Sequence, residues 1–402
     1  MKTPIITKIR GTIIKMDEPS IDSAAVRLSL YIPNLDTGGA QRVILNLADG
    51  FESKGCDVDI VVNKRGGRFC SKVPDGVSLT TLDADGSLPI VSEGRELADY
   101  LRGYEPDVLF SALSHANIPA LLANKRVRNV DTRIVVSNHC PSKFYYRKHA
   151  KARVTRRLVS LTYRWADNII TVSKGAAEDL YRVAGIPRER IQPVYNPVVT
   201  DELRDRAQEE VTHDWLPGDE PVVLAMGGME GHRSRQKNFD LLVDAFAQVR
   251  TEQTAKLVIL GKGEDRNRLQ QRTEELGIAD DVDFPGFVDN PFPYMRESSV
   301  FVLPSRYEGF GNVIVEAMAC GCPVVSTDCL SGPAEILDYG TYGELVPVED
   351  AQSMANAISE TLENPREADV LQNRASEFSL ENQIDNWEDA IVGSLGGSPN
   401  TQ

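Results

Sequence analysis

Short runs of β-branched and aliphatic residues recur along the first half of the chain, each followed by a polar turn and a stretch whose apolar positions return every three or four residues. Residues 26–33 read as the first strand; the turn Asn34-Leu35-Asp36-Thr37-Gly38-Gly39 and a helix over 40–51 come next. Runs at 58–62, 108–111, 134–137 and 168–172 repeat the pattern, and the alternation predicts an α/β fold with a parallel, doubly wound sheet. Near 191–199 the prolines Pro193 and Pro197 hold the chain extended, and a polar, acid-rich stretch runs on to Pro217-Gly218. Beyond it the cycle restarts, with strands expected at 221–226, 256–260, 300–304 and 323–326 and helices at 238–250 and up to Gly277. A helix ending near 364 precedes a last one over 380–395, where Ile384, Trp387, Ala390 and Ile391 fall at helical spacing. The expected organisation is a polar lead (1–25), a doubly wound α/β domain (26–199), a linker (200–219), a second such domain (220–378) and a C-terminal helix and tail (379–402). Open sheets bind at the carboxyl ends of their strands and pockets favour domain interfaces, so a ligand is expected between the halves.

The 402 residues suffice for two full cores of roughly 180 residues each. Against 44 Lys+Arg stand 59 Asp+Glu, a formal charge of −15, and a field of that sign argues against a nucleic-acid binder. Lysines number 14 against 30 arginines, and acid excess with few lysines fits a salt-rich cytoplasm as well as ordinary acidity. The six cysteines, Cys56, Cys70, Cys140, Cys320, Cys322 and Cys329, form no C-x-x-C pair; zinc and disulfide frameworks are not expected, and a reducing compartment is. Lys2, Lys8, Arg10 and Lys15 interrupt any signal-peptide core, and no run of about 18 apolar residues occurs, so neither a signal peptide nor a membrane span is expected.

The densest polar cluster in an apolar stretch is Ser305-Arg306-Tyr307-Glu308-Gly309-Phe310-Gly311-Asn312-Val313-Ile314-Val315-Glu316. A strand ends at Pro304, Glu308 lies in the turn, and a helix begins near Asn312. Such a helix start is an anion site. Glu316, one turn in, reaches the same mouth, where a carboxylate beside a phosphate suits the neutral hydroxyls of a ribose or sugar. On spacing alone the string is equally a capped helix with two solvated acids.

This string resembles the E-x7-E signature of the retaining glycosyltransferases of family 4, enzymes of the two-Rossmann GT-B fold. The resemblance continues through Ala317-Met318-Ala319-Cys320-Gly321-Cys322-Pro323-Val324-Val325 and Ser331-Gly332-Pro333-Ala334-Glu335-Ile336. Other segments fit in the same order: Gly38-Gly39-Ala40-Gln41-Arg42, Val172-Ser173-Lys174, Asn196-Pro197, Gln236-Lys237-Asn238, Gly261-Lys262-Gly263 and Gly343-Glu344-Leu345-Val346-Pro347. It implies an acceptor domain first and a nucleotide-sugar donor domain second. Glu316 would accept from the nucleotide ribose, Glu308 would lie at the transferred sugar, and the backbone N–H groups of Phe310, Gly311 and Asn312 would meet the diphosphate or sugar. Lys237 would offset charge on the leaving diphosphate. Gly38, Gly39 and Glu335 join the donor set by the same similarity. His139 matches the family's histidine near the transferred sugar, and Ser114, His115 and Asn117 would line the acceptor side. From the residues alone, Gly38-Gly39 is also a tight turn needing positive φ.

One departure stands out. The family usually carries Gly-Arg-Leu where this chain has Gly227-Gly228-Met229, so the arginine that commonly partners the lysine is missing; Arg233 and Arg235 are the candidate replacements. The resemblance implies no metal and no cofactor beyond the donor substrate. Three Asp-x-Asp triplets, at Asp57, Asp83 and Asp281, fit chance in an acid-rich chain. Between 143 and 164 lie eight cations and no acid: Lys143, Arg147, Lys148, Lys151, Arg153, Arg156, Arg157 and Arg164, just after or among Phe144, Tyr145 and Tyr146. With Val154, Leu158, Leu161 and Trp165 as a buried stripe, this basic surface suits anionic lipid headgroups or a lipid-diphosphate acceptor, or is merely solvated.

The combined expectation is a retaining, metal-independent hexosyltransferase. It would move a hexose or N-acetylhexosamine from a nucleotide-diphosphate sugar, UDP first, to a glycan or lipid-linked acceptor in polysaccharide biosynthesis. Its expected place is the cytoplasm, with peripheral attachment to the membrane's cytoplasmic face. A sugar-nucleotide epimerase or hydrolase of the same fold and a non-catalytic donor-binding subunit of a glycan assembly complex are the alternatives.

Overall fold

The computed structural model describes residues 25–36, 38–64, 66–84, 89–127, 130–139 and 150–393, apart from the side chains of 89, 150–155 and 232–234. The first sheet contains β1 (Arg27–Tyr31), β2 (Asp57–Val62), β3 (Ser78–Thr81), β4 (Val108–Ala112), β5 (Arg133–Asn138), β6 (Asn168–Thr171) and β7 (Ile191–Pro193). The second contains β8 (Val222–Met226), β9 (Lys256–Leu260), β10 (Val282–Gly286), β11 (Val300–Leu303), β12 (Val324–Thr327) and β13 (Glu344–Val346). Their orders are β3-β2-β1-β4-β5-β6-β7 and β10-β9-β8-β11-β12-β13, parallel throughout. In both, the strand order reverses beside the first strand of the sheet, and the crevice at that switch point is where such folds take ligands.

Helices cover both sheets. The first half supplies α1 (Gly39–Ser53), α2 (Pro89–Tyr104), α3 (Ser114–Arg126), α4 (Ala150–Thr162), α5 (Lys174–Ala184) and α6 (Asp201–Ala207). The second supplies α7 (Gly231–Lys237), α8 (Phe239–Glu252), α9 (Arg266–Glu275), α10 (Phe292–Glu297), α11 (Asn312–Ala319), α12 (Pro333–Ile336), α13 (Ala351–Glu363), α14 (Ala368–Ser376) and α15 (Leu380–Ile391). Central strands such as β4 and β11 are buried along their whole length, which is why they read as unbroken apolar runs. Two short outer strands, β3 with Ser78, Thr80 and Thr81 and β13 with Glu344, lack that signal.

The last helix returns to the first domain. Trp387 of α15 is fully buried, meets Phe110 of β4 edge-on at 5.7 Å and donates from Nε1 to the Tyr195 carbonyl at 2.8 Å. The chain therefore crosses between domains twice, and the crossings touch: Val198 N–H donates to Phe378 O at 2.8 Å, and Val199 bridges Ser379. The stretch read as a linker over 200–219 holds α6, capped by Thr200, whose Oγ1 accepts from Leu203 N–H at 3.2 Å. Leu203 and Ala207 anchor α6 in a core shared with the second domain. Among the described residues no helix is long and apolar enough to cross a membrane, and the five described cysteines are free; Cys140 lies outside the described residues.

Candidate active site

β11 ends at Leu303, and the chain turns through 305–311 before α11 begins; Gly311, at φ +103°, makes the last bend in a conformation that strains any side chain. Glu308 lies inside this turn and is only 8 % exposed. Its Oε1 accepts from Lys237 Nζ and from Ser305 Oγ, both at 2.7 Å, and Oε2 from Gln236 Nε2 at 3.4 Å. The C-terminal end of α7 delivers Gln236 and Lys237 together. Gly227, at the end of β8, lets the lysine stem pass, since a Cβ there would sit 2.8 Å from Lys237 Cγ. A cation and a carboxylate thus meet in a nearly dry turn, where charge-assisted hydrogen bonds are strong. The ammonium has three donors in all, so an incoming anion can share it.

Glu316 sits one turn into α11 and meets Arg42 of α1 across the cleft, Nη1 to Oε1 at 3.1 Å. Nearby, Asn312 Nδ2 donates to Gly39 O at 3.3 Å, and Asn312 Oδ1 accepts from Asn196 Nδ2 at 2.8 Å. The first residues of α1 and α11 therefore face each other, and neither helix start carries a side-chain cap. Two helix starts without side-chain caps and two positive dipole ends converge on one gap, a field suited to a diphosphate. Gly38 has φ 170°, ordinary extended backbone, and Gly39 is already helical, so the expected positive-φ turn is absent. What Gly39 provides is close approach: a Cβ there would lie 3.3 Å from Asn312 Nδ2.

Glu335 is engaged elsewhere. Its carboxylate accepts from the Lys174 and Gly175 N–H groups at 2.9 and 2.8 Å and from Tyr195 OH at 3.1 Å. The first N–H groups of α5, whose cap is Ser173 Oγ accepting from Ala176 N–H, hold the acid across the domain seam. Ser173 Oγ donates to Gly309 O at 2.9 Å, and the Tyr195 ring stacks on Phe310 at 5.6 Å. Phe310 is buried in that stack. Arg235 is exposed to solvent, and the side chain of Arg233 lies outside the described residues.

On the first-domain side, His139 follows β5 with Nε2 3.0 Å from Ser137 Oγ, and burial lowers its pKa to about 4. Its ring is neutral at pH 7, with one donor and one acceptor nitrogen. Ser114, the first residue of α3, donates to Asn138 Oδ1 at 2.7 Å, and His115 is exposed beside it. Asn117 does not line the acceptor side: one turn along α3 it points inward and is fully buried, donating to Ser137 O at 2.9 Å and Tyr163 OH at 2.8 Å. Tyr163 in turn donates to Asn138 Oδ1 at 3.0 Å.

Of the basic segment, Lys143, Arg147 and Lys148 lie outside the described residues, as do the side chains of Lys151 and Arg153 in α4. Arg156, Arg157 and Arg164 are exposed. Of the expected stripe, Leu158 and Trp165 pack against the first-domain core beside buried Val159, whereas Leu161 is 50 % exposed and the side chain of Val154 lies outside the described residues. The Asp-x-Asp residues have structural partners: Asp59 accepts from Tyr100 OH at 2.7 Å, Asp281 pairs with Lys256 and Arg250, each at 2.8 Å, and Asp283 meets His213 at 3.1 Å.

Two family models match the chain in succession, "Glycosyltransferase Family 4" over residues 37–202 and "Glycosyl transferases group 1" over 220–364. This chain is a glycosyltransferase. The transferase is 29 % identical over 368 residues to the N-acetylgalactosamine-N,N'-diacetylbacillosaminyl-diphospho-undecaprenol 4-alpha-N-acetylgalactosaminyltransferase of Campylobacter jejuni, covering 87 % of this chain and 93 % of that one. It is 28 % identical to the lipopolysaccharide 1,6-galactosyltransferase of Salmonella typhimurium over 62 % of this chain and 63 % of the relative. Among solved structures, the lipopolysaccharide outer core galactosyltransferase WaaB in its apo form aligns with TM-score 0.69 at 22 % identity, over 91 % of this chain and 98 % of that one. Anabaena HepE in complex with UDP aligns with TM-score 0.70 at 20 % identity, over 90 % and 99 %. These likenesses establish the GT-B fold for the transferase.

Nothing in the sequence pattern alone assigns a role to Arg42, Ser305, Gln236 or Tyr195. Each stood inside or beside a quoted motif, and their pairing with Glu316, Glu308 and Glu335 follows from tertiary contacts that span up to 274 residues.

Proposed function

We propose that this transferase moves a hexose or N-acetylhexosamine from a UDP-sugar to a lipid-linked or surface-glycan acceptor, with retention and without a metal ion. The observation that carries the reading is the convergence of the α1 and α11 starts on one gap, with Glu316 on one side of the turn and the Lys237–Glu308 pair on the other. The diphosphate lies at the opposed helix starts, and Glu316 accepts from the ribose. The sugar's hydroxyls take the place of Lys237 at Glu308, freeing the ammonium for the diphosphate. The bond between the anomeric carbon and the diphosphate oxygen breaks with its electron pair staying on the phosphate. The acceptor oxygen bonds to that carbon from the same face, and its proton passes to the departing phosphate oxygen. Lys237 and the helix amides stabilise the charge that builds there.

The nucleotide assignment is supported by the UDP held in Anabaena HepE, and the acceptor class by the diphospho-undecaprenol in the name of the Campylobacter relative. The exposed Arg156, Arg157 and Arg164, with half-exposed Leu161 among them, suit an anionic lipid surface that would bring such an acceptor to the cleft. Replacing these arginines should weaken sedimentation with anionic vesicles while sparing transfer to a soluble acceptor; unchanged sedimentation removes the membrane role.

Calorimetric titration with UDP and a set of UDP-sugars, with and without chelator, tests the core of the reading. Chelator-resistant binding that prefers one UDP-sugar, followed by transfer to a lipid-diphosphate-linked acceptor with the α-configuration kept, is expected for an α-linked donor. Sugar release or interconversion without acceptor points to a hydrolase or epimerase, tight UDP binding without transfer to a subunit, and no uridine nucleotide binding overturns the donor assignment.

A further inference from the structure

We infer that Arg42 is a positioning residue for the nucleotide that acts through Glu316, an inference that rests on the proposed donor site. Glu316 is a carboxylate with a side chain only 5 % exposed, so water reaches little of it. Arg42 takes Oε1; among the described residues Oε2 has no hydrogen-bond partner. An enclosed acceptor with one oxygen held and one open fits a neutral hydroxyl donor. Left unpaired, the same carboxylate would repel the diphosphate a few ångströms along the nucleotide. Arg42 cancels that charge and fixes which oxygen faces outward.

The guanidinium is itself fixed. Its central carbon lies 5.3 Å from the ring centre of Phe292 in the second domain and 5.8 Å from that of Phe69 in the first. Cation–π contacts of this kind favour the planar guanidinium over a lysine ammonium. Because Arg42 belongs to α1 and Glu316 to α11, the pair also ties the two helix starts together. Nucleotide binding and approach of the domains are linked through one contact, and the link uses no atom of the reacting sugar.

The test compares UDP affinity by calorimetry and donor kinetics for the full chain, Arg42→Ala, Arg42→Lys, Glu316→Gln and the Arg42→Ala/Glu316→Gln pair. Arg42→Ala should weaken UDP binding about tenfold or more and raise the donor KM by more than it lowers kcat; Arg42→Lys should recover only part of the loss. The double variant should bind UDP no worse than Glu316→Gln alone. If Arg42→Ala does not fold, Arg42→Lys carries the same comparison. Affinity within twofold of the parent in the Arg42 variants, with Glu316→Gln weakened, overturns the role of Arg42 and leaves the donor site standing. Additive losses in the double variant overturn the route through Glu316, and unchanged UDP binding in Glu316→Gln overturns the donor-site reading together with this inference.

Discussion

On the second-domain side of the cleft Lys237, Glu308 and Glu316 are ionisable, enclosed and each bound to an exchangeable partner, whereas on the first-domain side Ser114, Asn117, Asn138, Tyr163 and His139 form a neutral set held by short internal hydrogen bonds. The first set can trade its partners for those of a charged ligand. The second set is tied within itself behind the strand ends, with Asn117 Oδ1 and Asn138 Nδ2 its buried atoms without a partner among the described residues. A diphosphate donor and an uncharged acceptor hydroxyl ask for this division. It also locates sensitivity: chemistry should respond to changes on the ionic side, stability to changes on the neutral side.

The sharpest way to break that comparison is Glu308→Gln, which keeps the shape of the turn and removes the charge. Transfer should fall by roughly 10²–10³-fold, the scale of losing one aimed electrostatic group, while calorimetry should find UDP affinity close to that of the parent. Transfer within a few-fold of the parent would take Glu308 out of the chemistry. A smaller effect of the opposite kind is expected from Tyr163→Phe. Removing the hydroxyl strips Asn117 Nδ2 and Asn138 Oδ1 of a buried partner, which costs about 1–3 kcal/mol in denaturant unfolding, with turnover of the folded fraction little altered. If turnover collapses while stability holds, the neutral set belongs to the site and not to its scaffold.

A further expected effect is on pH dependence. The His139 pKa stands at about 4 in the folded chain against an ordinary 6.5, so between those values the unfolded chain binds more protons and stability rises with pH. The contribution of the neutral ring is full above about 6.5 and lost as pH falls toward 4. Melting temperatures of His139→Gln should therefore decline less steeply than the parent's from pH 7 to roughly 4.5. Parallel declines would show that burial of this ring does not govern acid stability.

The ionic side was more legible in the sequence than the neutral one, for a physical reason. Glu308 and Glu316 lie on one contiguous strand, turn and helix, where spacing along the chain is spacing in space. Lys237 came with its own motif at the end of a short helix. The neutral network joins β5, α3 and the turn after α4, and no local pattern marks a buried asparagine such as Asn117 from an exposed one. The contacts of Glu335 were not legible either, because its motif lies beside the donor turn while its carboxylate accepts from the first N–H groups of α5, far away in sequence. The sheets were legible where strands are buried on both faces and became faint at β3 and β13, whose polar residues suit a sheet margin.

The return of α15 bears on how the chain folds during synthesis. Trp387, Ala390 and Ile391 complete the core beneath β1 and β4, yet the ribosome makes them after all six strands of the second domain. Domains generally fold as they emerge, the earlier one first. Here the earlier domain emerges with an apolar face still open next to Phe110, and it waits through roughly 190 further residues, about 10–40 s at ordinary elongation rates, for its cover. The second domain, synthesised later, has its strands and most of its own helices in hand before that cover arrives. Arrest of translation between α14 and α15 should leave a nascent chain whose second domain resists protease and whose first does not.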